Sequence, residues 1–262
     1  MDRHYKRILP GEIQRIVDEI EAAIGGEIEV RHDQELKRSS STVFKEGEFH
    51  ACARTFEEVV GEGKLRIGFS FAYAPLAVPI AVHELLHFKA RFLDHGWRIG
   101  YEDPSLGLPR HHEAEAGFGY DLSLILEHIE IYNQMRALGI SLEAERHFLG
   151  CVLANIDGYP AGLKRRIVAV MLWLTVCCGP FLGFKTGAAQ MLLEQGMSGV
   201  ALKLESQIKP YVGRPQSCLG RIYLCATALG IPLESIAVQQ MVLAGSGQWG
   251  VDNCKLSDFS LI

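Results

Sequence analysis

The 262-residue sequence predicts an α+β fold in which a helix, a small sheet and a second helix precede a mostly helical C-terminal half. Three observations carry that prediction. Ile13, Ile16, Val17, Ile20 and Ile24 recur at helical spacing near the start and are followed by short alternating segments. Phe69 to Val82 then runs without a charged residue into His83-Glu84-Leu85-Leu86-His87. From Asp121 onward, apolar residues keep a helical period between Gly and Pro breaks, with no internal repeat or low-complexity segment.

Taken in order, Pro10 to Ile24 reads as an amphipathic helix stopped by Gly25-Gly26, because glycine accepts the left-handed conformation that closes a helix. Glu27 to His32 alternates Ile28 and Val30 with polar neighbours, and Phe49 to Phe56 and Lys64 to Phe71 also read as strands, with Gly61 and Gly63 supplying a turn. Lys37 to Gly47, containing Ser39-Ser40-Ser41, reads as a polar connection. Pro75 and Pro79 suit the first turn of a helix, so the motif helix is expected to begin near them, run to about Asp94 and stop at Gly96. Gly96 to Gly117, rich in Gly, Pro and charge, reads as a long surface loop. Helices are expected over Asp121–Leu138, Leu142–Ile156, Leu163–Cys178, Gly187–Gln195, Val200–Ile208, Ser217–Leu229 and Leu233–Ala244. The domain organisation expected from this order is a metal-binding catalytic region over 1–140 and a helical lobe over 141–262 packed against it.

Charged residues at 22% and hydrophobic ones at 48% are ordinary for a folded globular protein. A formal charge of −5, with no long basic run, gives no electrostatic reason to expect nucleic acid as a partner. The polar start, Met1 to Arg7, has no apolar signal-peptide core, which sets a cytoplasmic expectation. Ile167 to Phe184 carries no formal charge and follows Lys164-Arg165-Arg166, a length at the lower edge of a membrane span. Gly179-Pro180 interrupts it, so a buried core helix is expected and no membrane partner. The seven cysteines, Cys52, Cys151, Cys177, Cys178, Cys218, Cys225 and Cys254, form no CxxC pair and are expected to be reduced, mostly buried thiols.

The chemistry is concentrated at His83-Glu84-Leu85-Leu86-His87. Four residues apart on a helix, His83 and His87 share a face and can direct ring nitrogens at one metal ion, with Glu84 beside them as general base toward a water. The uncharged run before the motif predicts a buried helix, in which two imidazoles and a carboxylate cost several kcal/mol unless paired or ligated. The alternative is a pair of hydrogen-bonded core histidines with Glu84 paired to Lys89. Zinc is the expected cofactor, and a catalytic zinc takes three protein ligands plus a water. The third is sought on the Asp121–Leu138 helix, where His128 falls within an apolar arc of Leu124, Ile125, Ile129, Ile131, Tyr132 and Met135, and Glu127 lies at its edge near Glu130 and Gln134. His128 or Glu127 completes the set. His95, His111, His112 and Glu115 are more simply exposed loop residues, and an oxyanion donor is open among Tyr101, His111, His112 and Tyr120.

With those residues in place, the chain resembles a zincin-type metallopeptidase over about residues 1–140. The subgroup with a longer motif is not matched, since Ala90 and Leu93 stand where its Gly and third His would be. The gluzincin pattern, with a Glu ligand on a later helix, fits better at Glu127. The resemblance implies zinc-dependent hydrolysis of a peptide or protein substrate, and a sheet edge would accept an extended peptide by strand addition. Two other functions share parts of this reading. One is a zinc amidase acting on a non-peptide amide. The other is a non-catalytic helical regulatory or interaction protein, in which Leu224 to Pro232 followed by Ile236 to Met241 forms a helix-turn-helix presenting Gln239 and Gln240.

Overall fold

Isoleucine and valine at every third or fourth position give one face of the first long helix enough apolar surface to anchor the N-terminal part of the chain. In the computed structural model, which describes residues 1, 3–32, 53–59, 65–71, 78–94, 97–100, 126–158, 161–214, 217–243 and 249–259, a short helix α1 (Arg3–Arg7) precedes this helix, α2 (Gly11–Ile24). Ile13, Ile16, Val17, Ile20 and Ile24 are its buried residues, and Gly25 closes it at φ 65°. Strands β1 (Ile28–His32), β2 (Ala53–Val59) and β3 (Leu65–Phe71) form a sheet of order β1-β3-β2. β1 runs parallel to β3 with Ile28 opposite Ile67, and β2 is antiparallel with Ala53 opposite Phe71. β2 runs past Phe56 to Val59, and residues 49–52 of the expected strand fall outside the described residues.

The motif lies on α3 (Val78–Lys89), which starts one residue before Pro79 and passes into a π-helical turn, Ala90–Asp94. Helix α2 packs against both segments, and α3 also meets β2. The helix, sheet, HExxH-helix order expected from sequence is therefore present. A π turn widens the helix to a five-residue repeat, and Lys89 reaches Asp94 across that interval with Nζ 2.6 and 2.8 Å from the two carboxylate oxygens.

Helix supplies the bulk of the remaining chain: residues 126–137 (α4), Glu143–Ala154 (α5), Leu163–Cys178 (α6), Lys185–Glu194 (α7), Ser198–Ile208 (α8) and Cys218–Leu229 (α9). Helix α6 is apolar on nearly every side and is buried accordingly, from Ile167 through Val170, Leu174 and Cys178. It ends at Gly179, which is extended at φ −101° and must be glycine, since a Cβ there would stand 2.4 Å from the Thr175 carbonyl oxygen. Among the described residues no helix is long and apolar enough to cross a membrane.

The sequence reading fails at the C-terminal end. Leu233–Ala244 is not a helix: Leu233–Ser235 is a single 3-10 turn, and Ala237–Leu243 is strand β5. With β4 (Trp97–Gly100) and β6 (Trp249–Lys255) it makes a second sheet of order β4-β5-β6, in which Trp97 stands opposite Gln240 and Arg98 opposite Gln239. Pro232 at ψ 123° and Ile236 at ψ 110° are extended, and Val238 and Val242 favour a strand once a partner is at hand. Gln239 and Gln240 therefore lie on a strand, which removes the helix-turn-helix reading. Trp97–Gly100 likewise lies in this sheet rather than in a surface loop; the rest of the expected Gly96–Gly117 loop, and the Lys37–Gly47 connection, fall outside the described residues.

Contacts divide the chain into two units. The first holds Met1–Gly96, Met135–His147 and Met241–Val251, and the second holds Trp97–Gln134, Phe148–Gln240 and Asp252–Ile262. In the first, α2 packs on α3 and the π turn, α3 meets β2, and Ile13, Val17, Ile20, Ile28, Ile67, Val82 and Leu86 are buried. In the second, α6 is the central helix, packed by α7 and α8, with α9 against α8.

Candidate metal centre

Helix α3 sorts its residues by chemistry. Ala81, Val82, Leu85, Leu86 and Phe88 are buried, whereas His83, Glu84 and His87 are half-buried on the remaining side. The spacing of four puts His83 and His87 on one stripe, and Glu84, three residues before His87, lies beside it about 100° around from His83. The helix is thus buried on its apolar side, as its composition predicts, while its reactive side keeps access to solvent.

The two imidazoles face each other through their ε nitrogens. His83 Nε2 and His87 Nε2 are 3.2 Å apart, with ring centroids 5.0 Å apart and planes inclined at 61°. Two nitrogens on one tetrahedral zinc, each about 2.0–2.1 Å from the ion, are separated by about 3.3 Å. The 3.2 Å contact is a hydrogen bond between the two imidazoles, and it is also close to the separation of two ligands on one ion. On the far side of the His83 ring, Nδ1 lies 3.5 Å from Oε1 of Glu145, whose side chain is 10% exposed. The other carboxylate oxygen, Oε2 of Glu145, is buried without a hydrogen-bond partner. Lys89 pairs with Asp94, so it is not the cation beside Glu84, while the contact between the two histidines is the hydrogen bond that the alternative expects.

Helix α4 carries His128 and is fixed at several points. Glu130 is buried and ties off both carboxylate oxygens: Arg221 Nη1 donates to Oε1 at 2.6 Å and the Gly213 N–H donates to Oε2 at 2.8 Å. Asn133 Nδ2 donates to the Cys178 carbonyl at 3.0 Å, capping the end of α6. Tyr132 meets Phe181 edge-on at 5.1 Å and stacks on His128 at 5.3 Å with planes 13° apart. His128 is half-buried on this tyrosine rather than enclosed in the apolar arc, and Glu130, placed by the helical wheel on the polar side, is the buried acid.

His83 and His87 stand together in the first unit, whereas His128 and Glu127, both half-buried, lie one residue apart on α4 in the second. His95, Tyr101, His111, His112, Glu115 and Tyr120 lie outside the described residues.

Glu145 is the residue that the sequence did not single out. It stands with Glu143 in the first turn of α5, where acidic residues are common because they complement the helix dipole. Nothing in its local sequence separates a dipole-favoured acid from one held against an imidazole.

The cysteines behave as buried or half-buried thiols. Cys151, Cys177, Cys178, Cys218, Cys225 and Cys254 are in the thiol form, outside any disulfide, and Cys52 lies outside the described residues. Burial, reinforced by the Glu205 carboxylate, pushes Cys177 and Cys178 up to about 11, which leaves little reactive thiolate near neutral pH. Compared with protein-family models, curated proteins and solved structures, the chain matches none.

Proposed function

We propose that the chain is a zinc-dependent metallopeptidase whose ion is held by His83, His87 and a third ligand, His128 or Glu127, with Glu84 as general base. The observation that carries this reading is the 3.2 Å approach of the two ε nitrogens on one helix face, which matches the separation of two ligands on a tetrahedral ion. The third ligand is sought where the sequence places it, at Glu127-His128 on α4. Neutral imidazoles suit zinc, a borderline-soft ion with no directional demand of its own.

Bound there, zinc supplies Lewis acidity and makes a nearby water acidic enough to ionise near neutral pH. Glu84, half-buried beside the histidine stripe, takes the proton from that water as it attacks the peptide carbonyl. The same carboxyl then passes the proton to the departing amine, so that the acid and base roles fall on one side chain in sequence.

The test uses the zinc-loaded full chain against a quenched-fluorescent peptide library. Glu84→Gln should keep its zinc and lose hydrolysis by about 10²–10⁴-fold, the usual contribution of a positioned general base. A Glu84→Gln protein with its zinc bound and its hydrolysis intact would remove the mechanism.

A further inference from the structure

We infer that Glu145 is a positioning residue for the metal centre: it holds His83 from behind, fixing which ring nitrogen faces the ion. This rests on the zinc reading of His83 and His87 and adds to it a residue from another helix. Both residues belong to the same unit, His83 on α3 and Glu145 in the first turn of α5.

The assignment follows from where each ring atom points. Nε2 of His83 is turned to Nε2 of His87, so Nδ1 is the atom left on the opposite side of the ring, and that atom faces Glu145 Oε1 at 3.5 Å. A carboxylate at Nδ1 keeps the proton on that nitrogen and leaves the Nε2 lone pair for an ion. Its negative charge also makes the imidazole a stronger donor, and a bound cation in turn strengthens the pull between Nδ1–H and the carboxylate. At 3.5 Å the contact is longer than most hydrogen bonds, and a cation held at Nε2 would favour its shortening.

The second observation is the state of the carboxylate itself. Oε2 of Glu145 is buried with no hydrogen-bond partner, and the side chain is only 10% exposed. A carboxylate kept in that setting for stability alone would be expected to have both oxygens satisfied, as Glu130 does with Arg221 and Gly213. Glu145 is instead committed on one side to an imidazole that gains positive character when it binds a metal. Because it approaches Nδ1 rather than Nε2, it stands behind the ligand and is not a ligand itself.

Zinc binding to the full chain, measured by competition with a chromophoric chelator, tests the inference. Glu145→Gln should weaken zinc roughly tenfold by removing the charge, and Glu145→Ala up to about a hundredfold by removing the acceptor as well. Glu145→Asp should recover part of the loss, and it carries the same test should either larger change disturb folding, which circular dichroism reports. In a His83→Ala background, Glu145→Gln should cost nothing further, because the ring it positions is gone. Nitrogen-15 NMR of the histidines should show His83 as the Nδ1–H tautomer in the metal-free wild type and as a mixture in Glu145→Ala.

Zinc affinity unchanged in Glu145→Ala, or a Glu145→Gln loss that adds in full to that of His83→Ala, would overturn the positioning role while leaving the zinc centre standing. A loss in Glu145→Gln as complete as in His87→Ala would overturn it in favour of direct ligation. A wild-type chain that binds no zinc would remove both the centre and the inference.

Discussion

Glu130 and Glu145 present the same problem and meet different ends. Their side chains are 9% and 10% exposed, so each places a carboxylate where water barely reaches. Glu130 is completed by its surroundings, with Arg221 on one oxygen and the Gly213 N–H on the other. Glu145 rests against a single imidazole and leaves its second oxygen buried and unpaired. The first is a structural ion pair that joins Glu130 to Arg221 within the second unit. The second fits the proposed centre, in which a cation on His83 would draw on this carboxylate. A buried acid left half-satisfied by its own chain is therefore the better pointer to chemistry, and a fully satisfied one to stability.

The largest effect that sharpens this contrast is expected at Glu130. Glu130→Ala leaves Arg221, 1% exposed, as an uncompensated buried charge and should cost about 3–5 kcal/mol, lowering Tm by roughly 10 °C. Thermal unfolding measures this, and an unchanged Tm would put Glu130 in the same class as Glu145. Glu145→Gln should behave oppositely in metal-free protein. Exchanging a carboxylate with an unpaired buried oxygen for a neutral amide should leave stability within about 1 kcal/mol of wild type by urea denaturation in EDTA. A loss of several kcal/mol would assign Glu145 a structural role and erase the comparison.

Smaller changes are expected where charges are less enclosed. Lys89 and Asp94 bridge the π turn with side chains 23% and 16% exposed, and Lys89→Met should cost less than about 1 kcal/mol. Chemical denaturation would detect a larger value, which would mean that the widened turn depends on this pair.

The surroundings of Glu130 also set an alkaline limit. Burial pushes the Cys218 thiol from its ordinary value of 9.0 up to about 12, opposed by the Arg221 guanidinium. A thiol whose pKa is raised by folding stays neutral in the native state while the unfolded chain begins to ionise. Its contribution is therefore fully present below about pH 9 and is lost as pH rises from there toward about 12. The urea midpoint should fall over that window, and Cys218→Ala should flatten the fall; an identical slope in the variant would locate the effect elsewhere.

Much of the part that bears the site was legible in the sequence because its signals are local. The isoleucine period of α2, the glycine stop at Gly25, the uncharged approach to His83 and the Gly179-Pro180 break each act within a few residues, and Leu163–Cys178 has the limits that its pattern predicts. The second sheet was not legible. Ala237–Leu243 is a short apolar run that suits either a helix or a strand, and its fate is set by pairing with Trp97–Gly100 far upstream. The site divides the same way. His83 and His87 are a fixed spacing on one helix, whereas the link from Glu145 to His83 joins two helices and has no trace in the spacing of either. His128 was visible as an unusual residue on an apolar arc, but its stacking on Tyr132 and its half-buried state come from packing.

Zinc stoichiometry of the purified full chain tests the central claim most directly. After zinc loading and removal of excess ion, metal analysis should find about one zinc per chain in wild type and in Glu84→Gln, and almost none in His87→Ala. Equal zinc in wild type and His87→Ala, or none in wild type, would contradict the metal centre.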